Sequence, residues 1–386
     1  MPDEVTISAV ALPGRRGAFD VSLCGGRVAA IRPVEPAGEP GWLALPGLVN
    51  LHAHADRAFT VQSFRPRSFA DALAAAASAR AGFTVADVEA RATRLFARSV
   101  THGVTRVRTH TDVDPVVELR SMEGILAAKR QAAGSISVEV TAFSTSRNDL
   151  AEPSALARLE RAVALGADVI GASLNSSADP ARALAALLDL AERSGLAVDL
   201  HLDEHLDREK MLAALVADAV MARGLRRRVA LSHLCALATL DANSATALID
   251  KLARAEITVV ALPETNLFLQ ERGERTPIRR GITLIRELLA GGVTVRLGTD
   301  NIRDWFFPFG DGDMLETARI AAIAAHLDDE AQLIAAICDG RGTIEEGSVA
   351  DLVLLRVSSF DDALAQRPAE RMVFKAGRQV AGPAPP

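Results

Sequence analysis

Hydrophobic and polar positions change rhythm twice along the chain. Near the N-terminus, Glu4–Ala11, Ala18–Cys24 and Arg27–Pro33 alternate or run apolar between Gly and Pro punctuation, which predicts short strands. The C-terminal segment reads alike, with a turn over Thr343–Gly347 and strands over Ala350–Val357 and Arg371–Val380. Between these ends a strand-then-helix rhythm repeats. The predicted strands are Leu48–His54, Arg106–Asp112, Val138–Ser144, Val169–Leu174, Ala197–Glu204, Val229–Cys235, Thr258–Glu264 and Thr294–Asp300. Most lead into stretches of helical spacing, such as Pro180–Ser194, Arg208–Arg223 and Ser244–Ala255. Eight strands with helical crossovers define an α/β chain folded as a (β/α)8, TIM-type barrel. The terminal strands are expected to combine into one small β-sandwich domain, residues 1–45 plus 343–386, with the barrel at 46–342 between them.

Composition narrows the classes of function. Of 386 residues, 49% are hydrophobic and 24% charged, as in an ordinary globular protein. The formal net charge is −6 and no basic block occurs, so no nucleic-acid partner is expected. Cys24, Cys235 and Cys338 lie far apart and form no CxxC, which excludes a sulfur-rich zinc site and suits a reducing, cytoplasmic setting. The N-terminal MPDEVTISAV does not read as a signal peptide. No run of 18 apolar residues appears, so no membrane span is expected. A carbamylated or catalytic lysine has only Lys129, Lys210, Lys251 and Lys375 to choose from.

Candidate chemistry gathers at the strand ends. The first barrel strand ends in His52-Ala53-His54, the second in His110, the fifth in His201, the sixth in His233 and the eighth in Asp300. In a barrel the C-terminal ends of the strands carry the active site, because their side chains converge on the axis. Residues two apart on a strand share a face, so His52 and His54 can address one ion. A lone histidine in an apolar strand is most often a packed core residue. An HxH, a further strand-end histidine and a strand-end aspartate on one face are not explained that way. Three imidazoles and a carboxylate suit Zn²⁺ or Fe²⁺ and leave a coordination position for water. Glu204, three residues after His201, stands where a carboxylate can face that water and move protons. His205 is expected at the surface, and His102 and His326 carry no assigned role.

These residues lie within motifs that resemble a known family. Pro46-Gly47-Leu48-Val49-Asn50-Leu51-His52-Ala53-His54-Ala55-Asp56 is similar to the opening motif of the amidohydrolase superfamily. More narrowly, the chain resembles the cytosine deaminase branch, which includes isopropylammelide aminohydrolases. The supporting segments are VRTHTDVD (107–114), LHLDEH (200–205), ALSHLCAL (230–237), TPIRRGIT (276–283), LGTDNIRDWFFPFG (297–310) and GTIEEGSVADLVLL (342–355). The resemblance implies one divalent metal on His52, His54, His201 and Asp300, with Glu204 as proton shuttle and His233 orienting the attacking hydroxide. Binuclear relatives carry a carboxylated lysine or a glutamate at the end of the fourth strand; Val169–Asn175 holds neither. Two departures bear on specificity. Where cytosine deaminases have a Phe-Pro-Gln sequence whose glutamine reads the pyrimidine edge, this chain has Phe143-Ser144-Thr145, followed by Ser146 and Arg147. Asn301 follows Asp300 where a second aspartate is common in those enzymes.

The expected activity is hydrolytic deamination of an amino-substituted nitrogen heterocycle other than cytosine. Asp300 and His233 would help form hydroxide, and Glu204 would protonate the ring and the leaving group. Thr145, Ser146, Asn301, Trp305 and Phe306 are expected to contact this small-molecule substrate, and the chain is expected to act as a homo-oligomer. Ring-opening hydrolysis of a cyclic amide and a silent metal-binding scaffold are the rival readings. Nucleic-acid zinc deaminases use HxE with PCxxC, and that cysteine pair is missing here.

Overall fold

The structure is a computed structural model that describes residues 4–35, 39–61, 64–272 and 281–385; Thr276–Arg280 of the TPIRRGIT segment lie outside the described residues. The N-terminal strands are β1 (Val5–Val10), β2 (Ala18–Cys24), β3 (Arg27–Val34) and β4 (Leu43–Pro46). Next come β5 (Leu48–Ala53), β6 (Val104–Val113), β7 (Ser137–Ser144), β8 (Val169–Ala172), β9 (Ala197–Leu202), β10 (Val229–His233), β11 (Thr258–Ala261) and β12 (Thr294–Leu297). After them lie β13 (Leu352–Leu355), β14 (Arg371–Lys375) and β15 (Arg378–Ala381).

Strands β5 to β12 pair in sequence order as one eight-stranded sheet. The sheet closes where Ala53 bridges Asp300 and the Asp300 N–H donates to the His52 carbonyl at 2.8 Å. Helices occupy the crossovers, each begun by a local signal. Asp179 caps the helix Pro180–Ser194 by accepting from the Arg182 N–H, with proline at the first helical position, where its missing N–H costs nothing. Asp241 caps Ala242–Arg254 in the same way. The apolar helix faces bury Leu187, Leu188, Leu248 and Leu252 against the outside of the barrel, while Val49, Leu51, Ala230 and Val260 form a separate cluster.

The terminal segments form two antiparallel sheets, β1-β2-β3 and β15-β14-β13-β4. Ile7, Val21, Val28, Trp42, Leu352 and Phe374 share one apolar core drawn from both.

The differences from the pattern-based elements have local causes. The apolar run after Trp42 is two strands, β4 and β5, broken at Gly47. A Cβ at Gly47 would fall 2.4 Å from the Thr105 side chain, so only glycine lets the chain pass there. The expected strand Thr258–Glu264 stops at Ala261, because Pro263 fixes helical φ and starts the helix Pro263–Leu269. Arg371–Val380 is a hairpin, not one strand: Ala376 and Gly377 both adopt positive φ, 48° and 76°, and turn β14 into β15. Within Arg208–Arg223 only Ala213–Ala222 is α-helix, preceded by a 3₁₀ turn over Arg208–Lys210. No described helix is long and apolar enough to cross a membrane.

Candidate metal and active site

The register of the parallel ladder sets the height of each histidine. His201 on β9 lies opposite Ser232 on β10, and Leu202 opposite His233, so His233 stands one residue further along the barrel than His201. The β5–β6 pairing is irregular between Asn50 and Ala53, and β5 ends there, just before His54. His52, His54, His201, His233 and Asp300 are all buried. His54 Nε2 and His201 Nε2 are 3.1 Å apart. Asp300 Oδ1 is 3.3 Å from His54 Nε2 and 3.6 Å from His52 Nε2.

A chain of hydrogen bonds fixes the His52 tautomer. Ser232 Oγ–H donates to Asp199 Oδ1 at 2.8 Å, and so must accept from His52 Nδ1–H, also at 2.8 Å. His52 Nε2 is left with a lone pair, buried and without a hydrogen-bond partner. Burial, then the mutual repulsion of neighbouring histidines, lowers the His52 pKa well below the usual imidazole range. Burial likewise lowers those of His54 and His201. Neutral imidazole lone pairs gathered around a carboxylate repel one another unless a cation lies between them. Two ligands each about 2.0–2.1 Å from a tetrahedral ion are about 3.3 Å apart, close to the spacings here. The donor set fits a divalent cation.

Donor atoms that could hold an ion form overlapping groups: His52, His54, His110 and His201 in one, His52, His233 and Asp300 in another, and His54, Asp56 and Asp112 in a third. His110 had no assigned role in the sequence, yet its ring lies 3.9 Å from that of His52, with Nε2 3.4 Å from Asp199 Oδ2. In the third group Asp112 is already held by two arginines, Arg57 and Arg80.

Glu204 is not a solvated loop acid. Asp203 accepts from Asn175 Nδ2 and from the Leu212 and Ala213 N–H groups, which pins the turn after β9. Glu204 is thereby aimed into a cavity of about 250 Å³, with Oε1 3.5 Å from His233 Nδ1. Burial raises the Glu204 pKa well above the carboxylate range, and the nearby Asp300 raises it further. Burial also brings Asp300 up to about 7. His233 falls to about 3, through burial and then the charge of Arg57. Asn266 Nδ2 donates to His233 Nδ1 at 3.1 Å, so the ring proton sits on Nε2. Asp203, His233, Leu234 and Asp300 all have positive φ. Such non-glycine conformations cost about 1–3 kcal/mol each and concentrate at functional sites.

Of the expected substrate contacts, Thr145, Ser146, Asn301 and Phe306 line this cavity. Thr145 Oγ1 donates to Asp114, and Asn301 Nδ2 donates to Asp304. Trp305 is a correction: it is not among the lining residues, and its ring stacks on Phe83, with centroids 6.4 Å apart. His205, expected at the surface, is partly exposed; it also lines the cavity and lies 3.0 Å from Asn175 Nδ2. Sequence reasoning missed Arg57, Arg80 and Asn175, which also line it. Arg57 follows the HxH by three residues, a signal that could have been read. Arg80 sits at the end of an alanine-rich helix with no motif around it.

A family model described as the amidohydrolase family matches residues 68–381. The chain is 32% identical over 349 residues to a pterin deaminase of Rhizobium rhizogenes (strain K84 / ATCC BAA-868), covering 87% of this chain and 80% of that protein. It superposes on a 5-methylcytosine deaminase of Klebsiella pneumoniae liganded with 5-fluorocytosine, with a TM-score of 0.89, 25% identity and 98% of both chains covered. An N-isopropylammelide isopropylaminohydrolase of Burkholderia multivorans gives a TM-score of 0.84 at 28% identity, again over 98% of both chains. This chain belongs to the amidohydrolase family, metal-dependent hydrolases of carbon–nitrogen bonds other than peptide bonds.

Proposed function

We propose that this protein is a metal-dependent hydrolytic deaminase of an amino-substituted nitrogen heterocycle, using one divalent ion, Zn²⁺ or Fe²⁺, held by His52, His54, His201 and Asp300. The observation that carries this reading is the facing pair of Glu204 and His233, 3.5 Å apart, on a cavity that also reaches His201 and Asp300. A scaffold needs neither group. The similarity to a pterin deaminase and to a 5-methylcytosine deaminase supports the substrate class.

Bound there, a divalent ion supplies the Lewis acidity that makes water nucleophilic near neutral pH. The chain's own groups do the rest. His233 Nε2–H orients the attacking oxygen, its tautomer set by Asn266. Glu204, whose protonated form burial favours, donates to the ring nitrogen beside the amine-bearing carbon. It then takes one proton from the attacking water and delivers it to the leaving nitrogen, and the water's second proton returns to Glu204 as the ring carbonyl forms. Water's oxygen thus joins the ring carbon, the exocyclic C–N bond breaks and ammonia or an amine leaves. Phe143, whose ring lies 4.1 Å from that of His201, and Phe306 supply apolar walls for a flat heterocycle. Thr145, without the amide of a glutamine, makes cytosine a poor substrate. Catalysis is assigned to the barrel segment 46–342, with 1–45 and 343–386 as a buttressing β unit. The protein acts in the cytoplasm as a homo-oligomer.

The test is a screen of aminopyrimidines, aminotriazines and pterins with the metal-loaded protein, detecting ammonia and ring-opened acid separately. Ammonia release from one class, with cytosine weak, is expected. Ring opening without ammonia, or cytosine as the best substrate by a wide margin, overturns the proposal.

A further inference from the structure

Two buried arginines face the same cavity with unspent donors, and we infer that they form a subsite for a carboxylate carried by the heterocyclic substrate. The inference rests on the deaminase reading above and goes beyond it by naming a substituent. Arg57 and Arg80 both line the cavity, and each is only 5–6% exposed. Arg57 donates through Nε to Asp304 at 3.0 Å and through Nη1 to Asp112 at 3.5 Å. Arg80 donates through Nε alone, to Asp112 Oδ2 at 2.6 Å. Arg57 Nη2 and both terminal nitrogens of Arg80 make no hydrogen bond or ion pair among the described residues.

These guanidinium groups are held rigidly, so little entropy is lost when they bind. Asp304 is itself fixed by the Asn301 amide at 2.8 Å and by the Phe306 and Phe307 N–H groups at 2.9 and 3.2 Å. The Arg57 guanidinium lies 4.8 Å from the Phe306 ring centre, which sets its plane. A purely structural ion-pair network turns most of its donors inward: the arginines paired away from the cavity that leave a buried donor without a hydrogen bond, Arg106 and Arg158, leave a single Nε. Here the free ends are the terminal nitrogens of the fork, the geometry that matches a carboxylate. A ring carbonyl has two lone pairs and cannot use so many donors, whereas a carboxylate offers about four acceptor sites. With a divalent ion beside Asp300, the cavity gains further positive charge. The substrate class is therefore an amino-heterocycle that also bears a carboxylate.

Matched pairs test this: pterin against pterin-6-carboxylate, and cytosine against 5-carboxycytosine. With the metal-loaded full chain, kcat/KM is expected to favour the carboxylated member of at least one pair by roughly tenfold or more, equivalent to about 1.4 kcal/mol. Calorimetric binding of the deaminated products, lumazine and lumazine-6-carboxylate, should show the same order and does not depend on turnover. Arg80→Gln should collapse the preference, and Arg80→Lys, which keeps charge without the fork, should retain part of it. No carboxylate preference in either pair, together with equal binding of the two lumazines by the wild-type protein, overturns the inference whether or not Arg80→Gln folds. So does a preference that survives in a folded Arg80→Gln. Carboxylate-selective binding with no ammonia from any heterocycle would leave the subsite standing and sink the deaminase reading. Ammonia release with no carboxylate preference would do the reverse.

Discussion

Strand β6 runs from one end of the barrel to the other, and its two ends are polar in different ways. Its period of two places Arg106, Arg108, His110 and Asp112 on one face. Towards the start of the strand the charges close on each other. Arg106 pairs with Asp339 and Glu139, Arg296 pairs with Asp339 at 3.0 Å, and Arg108 bridges Glu139 and Asp199. Past His110 the pattern reverses. His52 Nε2 and His233 Nε2 are buried without hydrogen-bond partners, and Arg57 and Arg80 keep free donors. A polar set that satisfies itself is stabilising framework. One that leaves buried atoms unpaired is kept for a ligand, because leaving them so costs about 1–3 kcal/mol each. The difference is one of degree, since Arg106 Nε at the closed end is also buried without a hydrogen-bond partner.

The strongest way to break the comparison is at the unpaired end. His52→Ala should lose metal and activity together, since it removes a donor, as elemental analysis and the ammonia assay would show. Glu204→Gln should hold its metal near the wild-type content while kcat falls by roughly 10²–10⁴, the usual contribution of positioned acid–base catalysis. Loss of metal in Glu204→Gln would make Glu204 a ligand, and full turnover would remove its role as proton shuttle.

A buried acid at the same end gives a pH signature. Burial raises Glu264 to about 8, although Thr317 Oγ donates to it. A carboxyl whose folded pKa lies above its unfolded value stabilises fully below the unfolded pKa. That stability is lost as the pH rises through the folded one. Wild-type stability should therefore drop between pH 5 and pH 8 by an amount on the order of a few kcal/mol, and Glu264→Gln should flatten the slope. Urea denaturation at the two pH values checks this, and an unchanged slope in the variant would reject it.

Ser232→Ala sharpens the comparison at the join of the two ends, because Ser232 links Asp199 to His52. Loss of such an outer partner typically weakens metal binding by about 10–100-fold. Chelator competition should show that shift, and unchanged affinity would mean that Ser232 does not set the tautomer. The smallest effect belongs to the closed end. Asp339→Asn breaks pairs that are partly exposed, so it should cost no more than about 1 kcal/mol and leave metal content alone. A loss of metal there would show that the two ends are coupled.

Much of this was legible in the chain. Alternating strand and helix signals located all eight barrel strands, and the histidines stood at their ends because a parallel strand puts its last residues at the catalytic face. HxH, the later histidines and Asp300 could thus be grouped from spacing, and Glu204 followed from its distance to His201. Local sequence could not give the partners that complete each group. Ser232 lies 180 residues from His52, and Asn266 lies 33 from His233. Nor could it separate Trp305, which turns away onto Phe83, from Phe306 next to it, which faces the cavity.

The sequence by itself determined the barrel and put histidines, Glu204 and Asp300 at or just past its strand ends, because strand periodicity and residue chemistry are local properties. Only the tertiary structure decided which polar atoms remain unpaired. Arg80 reads as one more charge at the end of an alanine-rich helix until folding sets it against Asp112, 32 residues away, on the wall of the cavity, with its terminal nitrogens unpaired among the described residues. Satisfaction of a buried group depends on every element packed around it, and no window of the chain contains them all.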